Sequence, residues 1–258
     1  MCLMARDPNP PQVDRRVWDE GRLQAPHAQP DKAERVRQMF DAIAPTYELV
    51  NRVASAGRDA RWRREMVRLA GVRSDDVLLD VACGTGDVAR TFAGGEVRPR
   101  RIVGVDFAER MLRLATQRPV SDGVFARADA LRLPVADASV SIVTCAFGIR
   151  NFQDLPAGLR EMHRVLGPGG RVVILEFAVP AGAVFRRLYL FYFNHILPRL
   201  AAVISRDRSG AYRYLPRSVL SFPGDEGIRS ALATAGFADV TAHRRSCGIV
   251  TLYVAKKA

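Results

Sequence analysis

The 258-residue sequence predicts an α/β protein built on a doubly wound, mostly parallel, seven-stranded sheet. Two observations carry this prediction. From residue 77 onward, apolar segments of strand length alternate with amphipathic helical segments, which is the order of βαβ units. These apolar segments are nearly continuous, which is typical of parallel strands covered by helices on both faces. The last two strands follow one another directly and predict an antiparallel C-terminal edge strand.

The residues before the sheet predict an extension and a helical lid. Residues 1–30 contain five prolines and few apolar residues, a composition that predicts a disordered N-terminal extension. Asp31 is placed to cap a helix in which apolar residues recur at helical spacing. A second helix is predicted over residues 59–69. We therefore expect a single domain over residues 31–258, with residues 31–70 as its helical lid.

In the sheet domain, predicted strands and predicted helices alternate along the chain. The carboxyl ends of parallel strands share one edge of a sheet, so the turns that follow the strands are where a ligand is expected. The predicted strands lie at residues 77–82, 101–106, within 123–130, 140–147, 170–177, 237–245 and 248–257, and the helices between them at residues 87–93, 108–117, 155–167 and 227–236.

An aromatic-rich segment interrupts the alternation after the fifth strand. Residues 183–205 read AVFRRLYLFYFNHILPRLAAVIS, and their three arginines exclude a membrane span. We expect residues 183–223 to form an insertion that faces the substrate and a lipid surface, where each arginine would favour anionic headgroups by about 1 kcal/mol. A core helix pair or a homodimer interface fits the same pattern and stays open.

The composition and charge of the chain limit which binding partners and which cellular compartment we expect. The net charge of +12 favours nucleic acid, an anionic membrane or an acidic substrate. The four cysteines are scattered, with no pair or cluster at metal-binding spacing, so we expect no metal site and no disulfide framework. The first residues lack an apolar signal segment. These features predict a cytoplasmic protein, peripheral at the inner face of the membrane.

A glycine turn after the first strand predicts a nucleotide-like ligand. Gly84 and Gly86 match the pattern G-x-G-x-x-A, and Asp106 follows 22 residues after Gly84, where a carboxylate meets ribose hydroxyls. Taken alone, the pattern leaves NAD open. Asp80 ends the strand and Asp87 starts the next helix, and either carboxylate at ~4 Å would repel a phosphate by about 1 kcal/mol or more. The two acids therefore favour S-adenosylmethionine, which carries positive charge and no phosphate.

Two later strand ends extend this candidate site. Asp129 and Ala130 follow the third strand, where an adenine would lie at the carboxyl edge of the sheet. A turn in which Asp129 only binds backbone is the alternative. The segment CAFGIRN ends the fourth strand at the topological switch point, where a transferred group should meet its acceptor.

The order of several motifs is more specific than the glycine turn. Residues 47–64 (YELVNRVASAGRDARWRR) and 164–180 (RVLGPGGRVVILEFAVP) resemble the two signatures of the ubiquinone/menaquinone biosynthesis C-methyltransferases. DVACGTGD, ADALRLP and FGIRNFQD resemble the same family in the same order, and the likeness covers residues 31–257. The signatures usually have Asp where this chain has Glu48, Lys where it has Gly167 and Ser where it has Ala178.

This resemblance implies the fold of a Rossmann-like class I methyltransferase. It also implies C-methylation of a demethylated prenyl quinol, with demethylmenaquinol to menaquinol as the first choice and S-adenosylmethionine as co-substrate. Carried over by position, it implies five donor contacts, with Gly84 and Gly86 allowing close approach of the backbone. The five are Thr85, Asp106, Asp129, Ala130 and Ala146.

The switch-point loop and the lid hold the candidate catalytic residues. A quinol ring carbon becomes nucleophilic when its phenolic oxygen is ionised. Arg150 and Asn151 are placed to bind that oxygen, with Arg150 stabilising its charge. Tyr47, from the lid, would close over the donor. A base is required, for which His195 and Glu176 are candidates with structural alternatives, whereas no metal or protein nucleophile is needed.

Other functions stay open on the sequence alone. Benzoquinol methylation in ubiquinone biosynthesis fits the same motifs. The charge of +12 would suit a methyltransferase acting on RNA, but no basic stripe interleaved with aromatics is present, so we predict no nucleic-acid partner. An NAD-dependent dehydrogenase is disfavoured by Asp80 and Asp87, and a binding module without catalysis does not explain so complete a donor site.

Overall fold

The computed structural model of the protein describes residues 17–205 and 209–258, and it contains one seven-stranded sheet. The strands are β1 (Val77–Val81), β2 (Arg101–Asp106), β3 (Gly123–Arg127), β4 (Val140–Ala146), β5 (Leu166–Phe177), β6 (Phe237–Arg245) and β7 (Val250–Lys257). Their order is β3-β2-β1-β4-β5-β7-β6. The first five are parallel, and β7 is antiparallel to both β5 and β6. The predicted fold class is therefore confirmed.

The helices cover both faces of this sheet. Side chains of the third and fourth helices pack with one face, and side chains of the sixth and tenth pack with the other. Among the described residues the α-helices are α1 (Lys32–Ile43), α2 (Tyr47–Ala54), α3 (Arg58–Ala70), α4 (Asp87–Ala93), α5 (Glu109–Thr116), α6 (Leu155–Val165), α7 (Ala183–Phe191), α8 (Leu197–Ser205), α9 (Ala211–Leu220) and α10 (Asp225–Thr234). A π-helical turn, Tyr192–Ile196, joins α7 to α8.

The strand order creates a crevice at one edge of the sheet. Strand β1 pairs with β2 on one side and with β4 on the other. The connections that leave β1 and β4 therefore run in opposite directions, and such a switch point is where open α/β sheets bind ligands. The candidate residues of the glycine turn and of the CAFGIRN segment both lie at this crevice.

The N-terminal segment differs from its prediction. Residues 17–30 form short helical turns rather than disordered chain, and Trp18 is fully buried among apolar residues of α1 and α9. A lone tryptophan among prolines and charges has no periodic partner in the sequence, so composition alone hides this anchor. Residues 1–16, the rest of the predicted extension, lie outside the described residues.

Further differences concern the lid and the insertion. The lid contains a helix that the sequence pattern did not separate, α2, between the two predicted ones. Residues 183–223 fold into α7, the π turn, α8 and α9, apart from residues 206–208, which lie outside the described part. No helix in the described ranges is both long enough and apolar enough to cross a bilayer.

Candidate active site

The glycine turn is shaped by its backbone conformation. Gly84 and Gly86 have φ values of +55° and +86°, in the region that favours glycine. A Cβ on Gly86 would lie 2.9 Å from Cζ of Phe125, so this position also has no room for a side chain. The amide of Gly86 donates to the carbonyl of Cys83 at 2.9 Å and closes the turn above the end of β1.

Asp106 fastens this turn to the end of β2. One carboxylate oxygen accepts a hydrogen bond from the amide of Gly84 at 2.8 Å, and the other accepts one from the amide of Ala108 at 2.8 Å. Burial raises the pKa of Asp106 to about 6, although these amides oppose the shift. The carboxylate therefore holds the turn in place, and its remaining lone pairs stay available for the predicted contact with a ribose.

Asp80 lies beneath the turn rather than in its wall. It is fully buried in β1, and the hydroxyl of Thr144 donates to one of its oxygens at 2.8 Å. The other oxygen has no hydrogen-bond partner among the described residues. Burial raises the pKa of Asp80 to about 7, and the charges of Asp106 and Asp87 add to the effect. Asp80 is fully buried in this structure, and its predicted contact with the donor stays a prediction.

The charge of Asp87 is compensated, which the sequence argument did not foresee. Arg90 pairs with its carboxylate at 2.7 Å, and Arg63 lies 3.6 Å away. Arg90 lies three residues further along the same helix, α4, whereas Arg63 comes from α3, so only the second contact depends on the fold. The electrostatic case against a diphosphate ligand is therefore weaker than the sequence indicates.

Glu48 connects the lid to the glycine turn. Burial opposes its ionisation, but hydrogen bonds from Arg118 and Thr85 outweigh that effect and lower its pKa. Arg90 adds a longer ion pair at 3.7 Å. The family signature usually has Asp at this position. Glu48 keeps the negative charge, and the surrounding arginines pair with it.

Two adjoining cavities open at this edge of the sheet. The smaller, about 70 Å³, is lined by four of the predicted donor residues, namely Asp106, Asp129, Ala130 and Ala146, together with Gly84. The larger, about 540 Å³, shares Gly84 and Ala146 with it and adds Thr85. We call the smaller space with the glycine turn the donor cleft and the larger space the chamber. Asp80 and Gly86 line neither space and support the turn from below, within the part of the chain described.

Asp129 forms the backbone turn that the sequence left as an alternative, and its predicted contact with the donor stays a prediction. Its side chain accepts a hydrogen bond from the amide of Leu131 at 2.9 Å. The residue is exposed and still lines the donor cleft. An exposed carboxylate at this place remains available to a ligand.

Arg150 and Asn151 lie in a short helical turn after β4 and are both buried. Nη1 of Arg150 pairs with Oε1 of Glu176 at 2.8 Å and donates to the carbonyl of Phe147 at 2.7 Å. The guanidinium carbon lies 5.5 Å from the ring centre of Phe177. The ion pair of Arg150 with Glu176 is therefore buried and not a surface contact. Arg150 lines the chamber, whereas Asn151 lines the donor cleft.

Asn151 is supported by residues that the sequence analysis missed. Its side-chain oxygen accepts a hydrogen bond from the hydroxyl of Tyr214 at 3.1 Å, and Tyr214 stacks on Trp18 with ring centres 4.3 Å apart. Lys32 donates to the carbonyl of Phe152 in the same loop. Burial lowers the pKa of Lys32 to about 8. A tryptophan in the N-terminal extension and a lysine at the start of the lid were the available signals, but their partners are more than 100 residues away.

The chamber is mainly aromatic. Phe147 and Phe177 meet with ring centres 4.4 Å apart, and Tyr189 stacks on Phe193 at 4.9 Å. Tyr47 lines both the chamber and the donor cleft, and its predicted closure over the donor stays a prediction. His195, one of the candidate bases, is exposed on the π turn and lines neither space.

This sheet order, with an antiparallel last strand, a glycine turn after β1 and an acid at the end of β2, defines a class I S-adenosylmethionine-dependent methyltransferase. Comparison with known proteins is more specific. The family model of the ubiE/COQ5 methyltransferase family matches residues 28–257. The chain belongs to this family.

Curated relatives are similar to this chain along most of its length. A demethylmenaquinone methyltransferase of Deinococcus radiodurans is 48% identical over 80% of this chain and 86% of its own. A ubiquinone/menaquinone biosynthesis C-methyltransferase of Geobacter sulfurreducens is 45% identical over 88% of this chain and 90% of its own. A chain from the complex of the Haloferax volcanii Trm112 methyltransferase activator with a methyltransferase shares the fold at a TM-score of 0.61 and 18% identity, over 84% of this chain and 96% of its own.

Proposed function

We propose that this protein transfers a methyl group from S-adenosylmethionine to a ring carbon of a demethylated prenyl quinol, converting demethylmenaquinol to menaquinol. One observation carries the proposal: a donor cleft lined by Asp106 and Asp129 opens into an aromatic chamber of about 540 Å³ with the buried Arg150 in its wall. The chamber is within the usual size range of small-molecule sites, roughly 300–1,000 Å³. The name of the Deinococcus relative supports the same substrate.

The residues of the cleft suit this donor. Asp106 and Asp129 offer carboxylate oxygens to ribose hydroxyls and to adenine, and Ala130 and Ala146 offer apolar surface. Asp80 lies beneath the turn with one carboxyl oxygen that has no partner among the described residues, and its partial negative charge favours a ligand with positive charge above it. S-adenosylmethionine, when bound, supplies an electrophilic methyl group on a sulfonium. No diphosphate is required by any of these contacts.

The chemistry needs an electron-rich ring carbon and a dry site. Loss of the phenolic proton raises the electron density at the neighbouring carbons, and Arg150 stabilises the resulting oxygen charge. A carbon–carbon bond then forms as the carbon–sulfur bond breaks, with its electron pair remaining on sulfur. The methylated carbon then loses its proton, the ring becomes aromatic again, and the ring oxygen regains a proton to give the quinol. The net products are the methylated quinol, the thioether and one proton, and the aromatic chamber excludes water while orienting the two reactants.

We further propose that α7 and α8 contact the cytoplasmic face of an anionic membrane, where a prenyl tail remains in lipid. Val184, Leu188 and Phe191 are exposed on α7, and Val203 is 80% exposed on α8. Arg186 and Arg187, also exposed, accompany the apolar side chains. Apolar residues bordered by arginines favour an anionic bilayer surface.

Flotation with liposomes tests this contact. We expect binding to anionic vesicles, little binding to zwitterionic vesicles, and loss of binding in Leu188→Glu. Val97→Glu, at an exposed position outside the insertion, is the matched control and should bind as the wild type does. A dimer in solution that dissociates in Leu188→Glu, without vesicle binding by the wild type, would assign this face to a homodimer instead.

The substrate assignment is tested by label transfer. The protein is incubated with methyl-labelled donor and with either demethylated naphthoquinol or demethylated benzoquinol, and label is followed into the ring. We expect faster labelling of the naphthoquinol. Labelling of the benzoquinol alone would move the function to ubiquinone biosynthesis, and labelling of neither would refute quinol methylation.

A further inference from the structure

Two buried polar atoms in the wall of the chamber lack a hydrogen-bond partner among the described residues. They are the hydroxyl oxygen of Tyr189, on α7, and Nε of Arg150, in the switch-point loop. Each residue is only 6% exposed. Nε is a donor only, and a tyrosine hydroxyl readily donates. Both groups therefore need an acceptor oxygen that the described chain does not supply.

Such unsatisfied groups are costly and uncommon in folded proteins, so their position in one cavity wall calls for an explanation. Both are held rigidly. Tyr189 stacks on Phe193, and Arg150 is fixed by its ion pair with Glu176 and by the carbonyl of Phe147. A rigid donor pair in an apolar surrounding is suited to a ligand oxygen that carries negative charge.

We propose that the hydroxyl of Tyr189 and Nε of Arg150 together bind the ring oxygen of the acceptor in its ionised form. This inference rests on the proposed function and makes Tyr189 a catalytic residue from the insertion, in contact with the acceptor. The pair stabilises the phenolate from which the ring carbon draws its electron density. It also fixes the oxygen to one wall of the chamber, so that a neighbouring carbon and not the oxygen meets the methyl group.

Other charged and titratable groups lie around this subsite, and their protonation states must be considered when the pH–rate profile is interpreted. Burial raises the pKa of Tyr189 and also the pKa values of Tyr47, Tyr192 and Tyr214 in the same wall, so these four hydroxyls stay protonated while the acceptor ionises. Glu176 of β5 pairs with Arg150 in this wall. The other titratable and charged groups that line the chamber within the described residues are Tyr47 of α2, Arg58, Asp59 and Arg63 of α3, Cys83 of the glycine turn, Asp87 of α4, Tyr192 of the π turn, and Tyr212 and Tyr214 of α9.

Tyr189→Phe removes only the hydroxyl. We expect kcat with the demethylated quinol to fall by at least about tenfold at neutral pH, and the pH–rate profile to reach its plateau at a higher pH. Thermal stability and the affinity for S-adenosylhomocysteine should not fall, since no bond within the protein is lost. Tyr253→Phe is the matched control, because its buried hydroxyl donates to Asp225 at 2.7 Å outside the chamber. It should lose stability and keep the wild-type pH profile.

A binding measurement separates this subsite from the proposed reaction. 1-Naphthol is titrated against the protein saturated with S-adenosylhomocysteine, and its ionisation is followed by absorbance. We expect a lower apparent pKa for the bound naphthol in the wild type than in Tyr189→Phe. Equal values in both proteins would overturn the subsite, even where the wild type methylates the quinol. A shifted naphthol pKa in a protein that methylates neither quinol would overturn the reaction and keep the subsite.

Discussion

The donor cleft and the chamber lie side by side, yet they are built in different ways. The cleft is formed by turns at the ends of β1, β2 and β3. These turns are held mainly by hydrogen bonds between backbone amides and nearby carboxylates. The chamber is made by side chains from the lid, the switch-point loop, β5 and the insertion, which are far apart in the chain. A substitution in one should therefore affect one ligand and spare the other, and this difference can be tested.

The largest effect is expected in the chamber, at Glu176. Glu176→Gln leaves the buried cation of Arg150 without its counter-charge, and we expect a loss of about 3 kcal/mol in the free energy of unfolding. Methyl transfer should be nearly abolished while S-adenosylhomocysteine binds as before. Denaturant unfolding and calorimetry measure the two quantities. The double variant Arg150→Met/Glu176→Leu should regain stability and not activity; its recovery of activity would contradict the assigned role of Arg150.

Substitution of Trp18 tests whether the N-terminal segment supports the boundary between the donor cleft and the chamber. Trp18→Ala removes the ring that stacks on Tyr214, and we expect a loss of about 3 kcal/mol in stability. Because Tyr214 holds Asn151, kcat should fall more than the quinol KM rises. Trp18→Phe keeps an aromatic ring and should restore most of kcat. Wild-type stability and kcat in Trp18→Ala would show that this segment is dispensable.

Substitution of Gly86 tests the donor cleft without changing the chamber. Gly86→Ala meets both a positive φ and Phe125, so we expect a loss of about 2 kcal/mol in stability together with a large loss of affinity for S-adenosylhomocysteine. Gly71→Ala is the matched control, since its φ is +55° and its Cβ would meet nothing within 4 Å. The control should show the backbone strain without the loss of affinity. Equal affinities in the two variants would contradict the role of the turn.

Much of the donor cleft was predictable because its residues are local. Gly84, Asp106 and Asp129 stand at strand ends that the hydrophobic pattern marks, and the structure brings them into one cleft. Their charges were less predictable. Asp87 is neutralised by arginines on α3 and α4, and Asp80 is buried beneath the turn, so the electrostatic argument from sequence overstated the negative charge.

The chamber was predictable only in part. The switch-point loop pointed to Arg150 and Asn151, and the lid pointed to Tyr47. Arg150 lines the chamber, Asn151 lines the donor cleft and Tyr47 lines both. The supporting contacts of Trp18 and Lys32 were missed because each depends on a partner far along the chain. Contacts of this kind leave no periodic signal in a single sequence.

Asp80, below the cleft, is expected to affect only the pH dependence of stability. The pKa of Asp80 is raised to about 7, so the folded protein holds this proton more tightly than the unfolded chain does. Its contribution to stability is present below the ordinary value of 3.8 and is lost as the pH rises through 7, by at most about 1.4 kcal/mol per pH unit. Asp80→Asn should flatten this decline in thermal unfolding between pH 4 and 8. An unchanged decline would show that Asp80 does not titrate in this range.

The position of the transferred methyl group tests the central claim most directly. The protein is supplied with donor labelled with ¹³C at the methyl group and with demethylmenaquinol, and the product is examined by NMR. Our account predicts a new methyl resonance attached to a ring carbon, because the ring oxygen is held in the chamber wall while the carbon faces the donor cleft. A methyl resonance on the quinol oxygen, or no transfer at all, would contradict it.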